Sequence, residues 1–269
     1  MPVQLIALDL DDTLLTSRLT ISLRTRAVLK RLRKQGIKLT LATGRMFRSA
    51  RPYAEELEMD VPLITYQGAL VKSALSGEVF YEKPVPPADA AAVIERVKAR
   101  GLHYQTYFCD NLYMERLSAE GKAYADLSGV EPVIDPALAE KIKTGRPTKL
   151  IVINNRIDQL LSFEAALKTE FGLRLHITRS KPNFLEIMHP EATKGLALAS
   201  VAAHYGIPRE DILAIGDSYN DLDMLEWAGI GVAVANAWPE VKAAADYVTG
   251  TNDEDGVADA LERLVFTKE

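Results

Sequence analysis

Asp9 and Asp11 stand two residues apart in Asp9-Leu10-Asp11-Asp12-Thr13, at the end of an apolar run. With the two-residue period of an extended chain, their side chains point the same way. Two carboxylates held together repel, so one is prone to keep a proton. Such a pair can supply a nucleophile and a general acid. Thr43-Gly44-Arg45 offers a hydroxyl, a flexible backbone and a following helix N-terminus, which together can receive an anion. Thr193-Lys194-Gly195 opens a helix with a cation that opposes the macrodipole, so Lys194 needs either solvent or a bound anion. In Gly216-Asp217-Ser218-Tyr219-Asn220-Asp221, two acids lie four residues apart, within reach across one helical turn. Hard oxygen ligands at that spacing suit Mg²⁺.

Each stretch also has an ordinary explanation when taken alone. These are an acidic capping turn, a Thr-Gly strand-to-helix turn, a solvated lysine, and an N-cap aspartate before a polar first turn. The combination is harder to dismiss. A phosphate monoester is dianionic near neutral pH and is repelled by carboxylates. A metal ion, Lys194 and helix N-terminal N–H groups would offset that repulsion and the charge of a transferring phosphoryl group.

The elements around these residues follow a pattern. Residues 3–10 form an apolar run that suits a strand buried on both faces. A helix over 22–35 is capped by Ser22 and ended by Gly36. A strand over 37–43 comes next, then a helix over 46–58 with Pro52 placed in its first turn or starting a second piece, and a third strand over 61–66. This is the βαβ alternation of an open parallel sheet. It resumes with helix 194–205, strand 211–217, helix 219–227, strand 229–234, helix 238–245, strand 246–250 and a last helix over about 255–266. All four motifs then fall at carboxyl ends of strands in one sheet, where open α/β sheets bind ligands.

The middle of the chain reads differently. Residues 69–83 suggest a hairpin around Ser76-Gly77, and Pro84, Pro86 and Pro87 then break the chain. Helices over 88–100, 118–127, 135–143 and 156–170 mix with strands over 102–108, 111–116, 148–154, 173–179 and 184–188. The reading is a core over 1–83 and 185–269, interrupted by an inserted α+β domain over 84–184.

Composition sets outer bounds. At roughly 150 residues per domain, 269 residues allow one large domain or two smaller ones. Lys plus Arg number 32 against 37 for Asp plus Glu, a net charge of −5, which argues against a nucleic-acid binder. Cys109 is the single cysteine, so no intrachain disulfide is possible and a reducing compartment is expected. No basic stretch precedes the first apolar run, and no run of about 20 apolar residues exists. Neither a secretory leader nor a membrane partner is expected, and the reading is cytoplasmic. There is no Cys/His zinc spacing, no G-x-x-x-x-G-K-[ST] loop and no G-x-G-x-x-G after a strand.

The ordered series D-x-D-x-T, T-G-R, K-G and G-D-x-x-N-D resembles the haloacid dehalogenase superfamily of phosphotransferases. The insert between the second and third motifs, with Asn183-Phe184-Leu185-Glu186-Ile187-Met188 shortly before Ala192-Thr193-Lys194-Gly195, is similar to its type IIB, Cof-like hydrolases. The resemblance spans essentially the whole chain. It implies an α/β fold, with a Rossmann-like parallel-sheet core and a C2B-type cap that closes over the site and selects the leaving group. It implies a phosphoric monoester hydrolase acting on small phosphorylated metabolites, such as sugar phosphates or phosphorylated cofactors like FMN or pyridoxal phosphate. Asp9 would attack phosphorus to form an aspartyl-phosphate. Asp11 would protonate the leaving oxygen and then activate water. Mg²⁺ would be held by the Asp9 carboxylate, the Asp11 backbone carbonyl and Asp217, with Asp221 close by. Leu10, Thr43, Gly44, Lys194 and Asn220 would bind the phosphoryl oxygens, and Arg45 would face the substrate.

Departures from the family pattern are few. Asp12 replaces a frequent Gly, and Gln67 in Tyr66-Gln67-Gly68-Ala69 replaces a common Asn, leaving the same amide on a longer, substrate-side arm. His189 reads as a turn residue, and Cys109 as a small packing residue. Tyr104, Tyr107, Phe108 and Tyr113 read as half-buried strand residues. Lys143-Thr144-Gly145-Arg146 resembles a phosphate loop only superficially. Two other functions share these residues. One is a phosphomutase or phosphotransferase using the same intermediate. The other is a non-catalytic metabolite-binding module, although it would be expected to have lost at least one of the acids or the lysine.

Overall fold

A computed structural model describes residues 3–266, which divide into two compact units. One runs through Tyr81 and resumes at Thr193; the other is Glu82–Ala192.

The first unit is built on a five-stranded, all-parallel sheet. Its order is Tyr247–Val248, Ile230–Ala233, Ile212–Gly216, Leu5–Leu8, Lys38–Leu41. The two central strands, LIAL and ILAIG, are buried at every position, as continuous apolar runs in a parallel sheet should be. Register sets the site. Leu8 pairs with Ile215 on one side and Leu41 on the other, so the residues that follow leave the sheet at one level. The ladder continues one step further, with Asp9 N–H donating to the Ile215 carbonyl at 2.9 Å and Ala42 N–H to the Leu8 carbonyl at 2.8 Å.

The expected third strand is Leu63–Thr65, but it does not extend the parallel sheet. It touches that sheet through a single bridge, Ala42 to Ile64, and otherwise pairs antiparallel with Leu70–Lys72 in a small sheet completed by Val79–Glu82. The cause lies in the turn after Thr65. Tyr66, Gln67 and Gly68 take φ of +53°, +59° and +94°, which reverses the chain and returns it alongside its own edge. Pro52 lies inside the Phe47–Glu56 helix rather than in its first turn. The segment after Asp217 begins as a tight turn, Tyr219–Asp221, before the Leu222–Trp227 helix. The last helix, Gly256–Leu261, widens into a looser turn over Glu262–Phe266. Among the described residues, no helix is long and apolar enough to cross a membrane.

The second unit is a six-stranded sheet ordered His176–Lys181, Phe184–Met188, Leu150–Ile153, His103–Phe108, Asn111–Met114, Val133–Ile134. One face is apolar. Tyr104, Phe108, Leu150, Val152, Leu185 and Ile187 pack there in one cluster with side chains of the Pro87–Ala99, Leu138–Thr144 and Ile157–Phe171 helices. The alternate positions include a buried ion pair, Lys149 to Glu186 at 3.1 Å. The unit ends at Ala192, not at 184, because Phe184–Met188 pairs on both sides with strands of this sheet. Cys109 is exposed, which corrects its reading as a packing residue. It and Asp110 form a two-residue turn with φ of +47° and +59°, joining the two strands they separate. Tyr104, Tyr107 and Phe108 are buried rather than half-buried, while Tyr113 is half-buried. The Nδ1 of His189 accepts the Glu191 N–H at 3.1 Å, as a turn residue would.

Candidate active site

Asp9 follows the central strand directly and is buried. Lys194 is the first residue of the Lys194–Tyr205 helix, whose N-cap Thr193 accepts the Leu196 N–H. The alternative of a solvated lysine fails, because the Lys194 side chain is 0% exposed. Its Nζ lies 2.6 Å from Asp9 Oδ1 and 2.6 Å from Asp221 Oδ1. Two carboxylates thus satisfy an ammonium that the helix N-terminus disfavours.

Asp221 is fully buried, and its other oxygen accepts the Asp217 and Ser218 N–H groups at 3.1 and 3.0 Å. Ser218, not Asp217, is the N-cap here, and Asp221 closes a capping box with it. Gly216 is required for this, since a Cβ there would lie 2.6 Å from the Asp221 Cβ. Asp217 Oδ1 accepts the Thr13 hydroxyl at 3.0 Å, so the last residue of the first motif steadies the fourth. Asp9, Asp217 and Asp221 each offer an oxygen, all within 4.8 Å of one another.

Three carboxylates around one ammonium leave this cluster short of positive charge. Burial, together with Asp221 and Asp217, pushes the Asp9 carboxyl well above the usual range, against the pull of Lys194. Burial and the Asp221 charge push Asp217 up to about 7. Burial alone would lower Lys194, but Asp221 and Asp9 outweigh it and raise its affinity for its proton. A set of hard oxygens crowded this way fits a divalent cation such as Mg²⁺. Both Asp221 oxygens already accept hydrogen bonds, so Asp9 and Asp217 are the better placed to ligate.

Asp11 stands apart from this cluster. After Asp9 the chain leaves strand geometry, with Asp12 at φ +59°, ψ 8°. The Asp11 carboxylate is gripped by both arms of Arg45, Nε to Oδ2 at 2.8 Å and Nη2 to Oδ1 at 2.6 Å. The expected repulsion between Asp9 and Asp11 is therefore corrected: the like charges that act on Asp9 are Asp221 and Asp217. Burial works against the Arg45 charge, but Asp11 outweighs it and raises the guanidinium. Arg45 also stacks over Tyr53, 5.2 Å from the ring centroid. The Asp12 conformation suits glycine and explains the frequent Gly of the family pattern. Here Asn236 Nδ2 supports the strained residue by donating to the Asp12 carbonyl at 2.7 Å.

On the other side of the motifs, Thr43 is buried and its Oγ1 accepts the Arg45 N–H at 3.1 Å. The Leu10 side chain is fully buried in the core, so only its backbone can meet a ligand. Gln67 and Asn220 meet side chain to side chain, Asn220 Nδ2 donating to Gln67 Oε1 at 2.7 Å. Gly44 lies against Gln67, as a Cβ there would sit 2.4 Å from Gln67 Nε2. Sequence reasoning gave no role to Thr13, Gly68, Asn236 or Asp223, the last of which accepts the Gly195 N–H at 2.8 Å. Thr13 stands in D-x-D-x-T and Gly68 in Tyr66-Gln67-Gly68-Ala69, whereas Asn236 and Asp223 carry no signal in the sequence.

Residues 6–261 match the family model of haloacid dehalogenase-like hydrolases. The chain is 30% identical over 287 residues to 5-amino-6-(5-phospho-D-ribitylamino)uracil phosphatase YwtE of Bacillus subtilis, covering 97% of each chain. It superposes on a haloacid dehalogenase-like hydrolase from Bacteroides thetaiotaomicron with a TM-score of 0.87 at 35% identity, covering 97% of this chain and 99% of the other. The subclass IIB sugar phosphatase BT4131 matches with a TM-score of 0.84 at 25% identity, covering 97% and 98%. An all-parallel core sheet, a buried acid cluster and these likenesses agree: the chain belongs to the haloacid dehalogenase-like hydrolases and is a phosphoric monoester hydrolase of that family.

Proposed function

We propose that this chain is a Mg²⁺-dependent phosphatase that hydrolyses small phosphorylated metabolites through an aspartyl-phosphate on Asp9. The observation that carries this reading is the Lys194 ammonium, fully buried and 2.6 Å from both Asp9 and Asp221, with Asp217 completing the acid group. A nucleophilic carboxylate must be held still and drawn toward its ionised form. Lys194 holds one oxygen of Asp9, opposes the proton affinity that burial confers, and leaves the second oxygen out of that hydrogen bond.

In this mechanism an Asp9 oxygen attacks phosphorus and the ester P–O bond breaks. The leaving oxygen takes a proton from Asp11. Asp11, now a carboxylate, takes a proton from water, whose oxygen attacks the phosphorus of the aspartyl-phosphate. Inorganic phosphate leaves, and both aspartates return to their starting states. The N–H groups of Leu10 and Gly44, the Thr43 hydroxyl, Lys194 and Asn220 bind the phosphoryl oxygens. Asp9 and Asp217, with the Asp11 carbonyl and with Asp221 close by, would hold Mg²⁺, which when bound offsets the charge of the transferring group. The Glu82–Ala192 unit is the cap, and it selects the leaving group.

The substrate class rests on the relatives. One is named for a phosphorylated ribitylaminouracil and another as a sugar phosphatase. Sugar phosphates or phosphorylated cofactors are the class proposed for this chain. The purified protein with Mg²⁺ should release inorganic phosphate from p-nitrophenyl phosphate with no added acceptor, which separates hydrolysis from phosphotransfer. Asp9→Asn should lower kcat by at least about 10³-fold, as loss of a covalent nucleophile does. Retention of most of the rate would remove Asp9 from this role.

A further inference from the structure

Gln67 carries an unusual burden. It is 1% exposed, yet its Nε2 has no hydrogen-bond partner among the described residues, and neither has the buried Oδ1 of Asn220. Leaving a buried amide donor unpaired is costly, and such a group is retained where something binds it. The backbone adds to the cost. Tyr66 and Gln67 are non-glycine residues at φ of +53° and +59°, followed by Gly68 at +94°. Such strain persists where surrounding structure enforces it, and it gathers at ligand sites.

The enforcement is visible. Gln67 N–H donates to the Thr43 carbonyl at 3.0 Å, and Tyr66 N–H to the Arg45 carbonyl at 2.9 Å. Gly68 is pressed against the start of the Lys194 helix, where a Cβ would meet the Thr193 carbonyl oxygen at 2.1 Å. The strained turn is therefore tied to the Thr43-Gly44-Arg45 loop and to the Lys194 helix at once. Its effect is to lay the Gln67 amide against Gly44, with Asn220 holding the carbonyl end and leaving the N–H₂ end over the anion loop.

We infer that Gln67 is a direct ligand of the phosphoryl group, donating from Nε2 to a phosphoryl oxygen, and that Asn220, beside its own contact with that group, holds the Gln67 amide in place. The assignment rests on the phosphatase reading above and moves Gln67 from the leaving-group side to the transferring group. It also explains the longer arm: the amide must span from the third strand's turn to both Gly44 and Asn220.

The test is binding of orthovanadate and inorganic phosphate, in the presence of Mg²⁺, as competitive inhibitors of p-nitrophenyl phosphate hydrolysis. Gln67→Glu keeps the length and the oxygen that accepts from Asn220, but replaces the donor with an anion. Gln67→Gly removes the amide and relieves the left-handed backbone, and its ligand-free melting temperature reads any loss of fold separately from loss of binding. The orthovanadate Ki should rise about tenfold or more in Gln67→Gly, as expected for losing a hydrogen bond to a charged group, and further in Gln67→Glu. The rise in melting temperature caused by orthovanadate should shrink in both, while the ligand-free proteins still unfold in one cooperative transition. Unchanged Ki values in both variants would overturn the assignment. A wild-type protein that bound neither orthovanadate nor phosphate would instead overturn the phosphatase reading itself.

Discussion

At the scale of single residues, the site separates its acids by partner. Asp9 is held by an ammonium inside a buried cluster, whereas Asp11 is held by the fork of Arg45 at the edge, with a side chain 36% exposed. A bidentate guanidinium–carboxylate pair fixes direction as well as distance. Arg45, which the family resemblance implies faces substrate, commits two of its nitrogens to Asp11. A role through Asp11 predicts selectivity by leaving group. Arg45→Ala should slow hydrolysis of an alkyl phosphate, whose alkoxide needs a proton, by about 10²-fold, within the range general acids contribute. It should slow p-nitrophenyl phosphate, whose leaving group needs no proton, by only a few fold. Equal losses in kcat on both substrates would assign Arg45 to phosphoryl binding instead.

At the scale of elements, what could be read from the sequence and what could not divide along a physical line. Local signals locate well. The helix expected over 194–205 and the strand expected over 184–188 stand where the residues place them, the helix capped by Thr193 and ended by left-handed Gly206. Pairing partners could not be read. FLEIM belongs to the inserted unit because of strands far from it in sequence, and the third strand leaves the parallel sheet because a turn reverses it. The Gln67–Asn220 contact joins residues 153 apart, beyond the reach of any periodicity. Lys194 was placed at a helix start correctly, but its complete burial depends on carboxylates brought in by two other segments. The turn at Tyr66–Gly68 has a testable consequence at this scale. Gly68→Ala would strain a backbone at φ +94° and drive a methyl group into the Thr193 carbonyl. Relief requires the turn to move away from the Lys194 helix. We expect a loss of about 2–4 kcal/mol in urea unfolding, in the range of severe backbone and overpacking substitutions, together with a fall in kcat. A stable, fully active Gly68→Ala protein would show that this junction tolerates movement.

At the scale of the whole molecule, the acid cluster predicts a stability that depends on pH and on a divalent cation together. In the folded, metal-free protein, burial and Asp221 hold the proton on Asp217 up to about pH 7, whereas an unperturbed aspartate releases it near 3.8. Between those values the folded form carries a proton that the unfolded chain has lost, so this contribution to stability falls as pH rises. It is present in full below the lower value and spent above the upper one. That displacement corresponds to at most about 4 kcal/mol, shared with Asp9 because the two carboxylates act on one another. A divalent cation held by the ionised cluster in the folded form only would reverse the sign of the problem, stabilising by mass action and more strongly as pH rises. In excess chelator, therefore, the wild-type melting temperature should drop between pH 5 and pH 8 relative to that of Asp217→Asn, which lacks the titrating carboxyl. With millimolar Mg²⁺ the wild type should gain more at pH 8 than at pH 5, and Asp217→Asn should gain less than the wild type at either pH. Wild-type and variant curves that stay parallel across this range, with and without Mg²⁺, would mean that the cluster neither stores this proton nor holds the metal. The net charge of −5 takes on meaning in that light, because two of the acids behind it are buried against a single lysine, with half-buried Asp217 beside them, a grouping that a cation would complete.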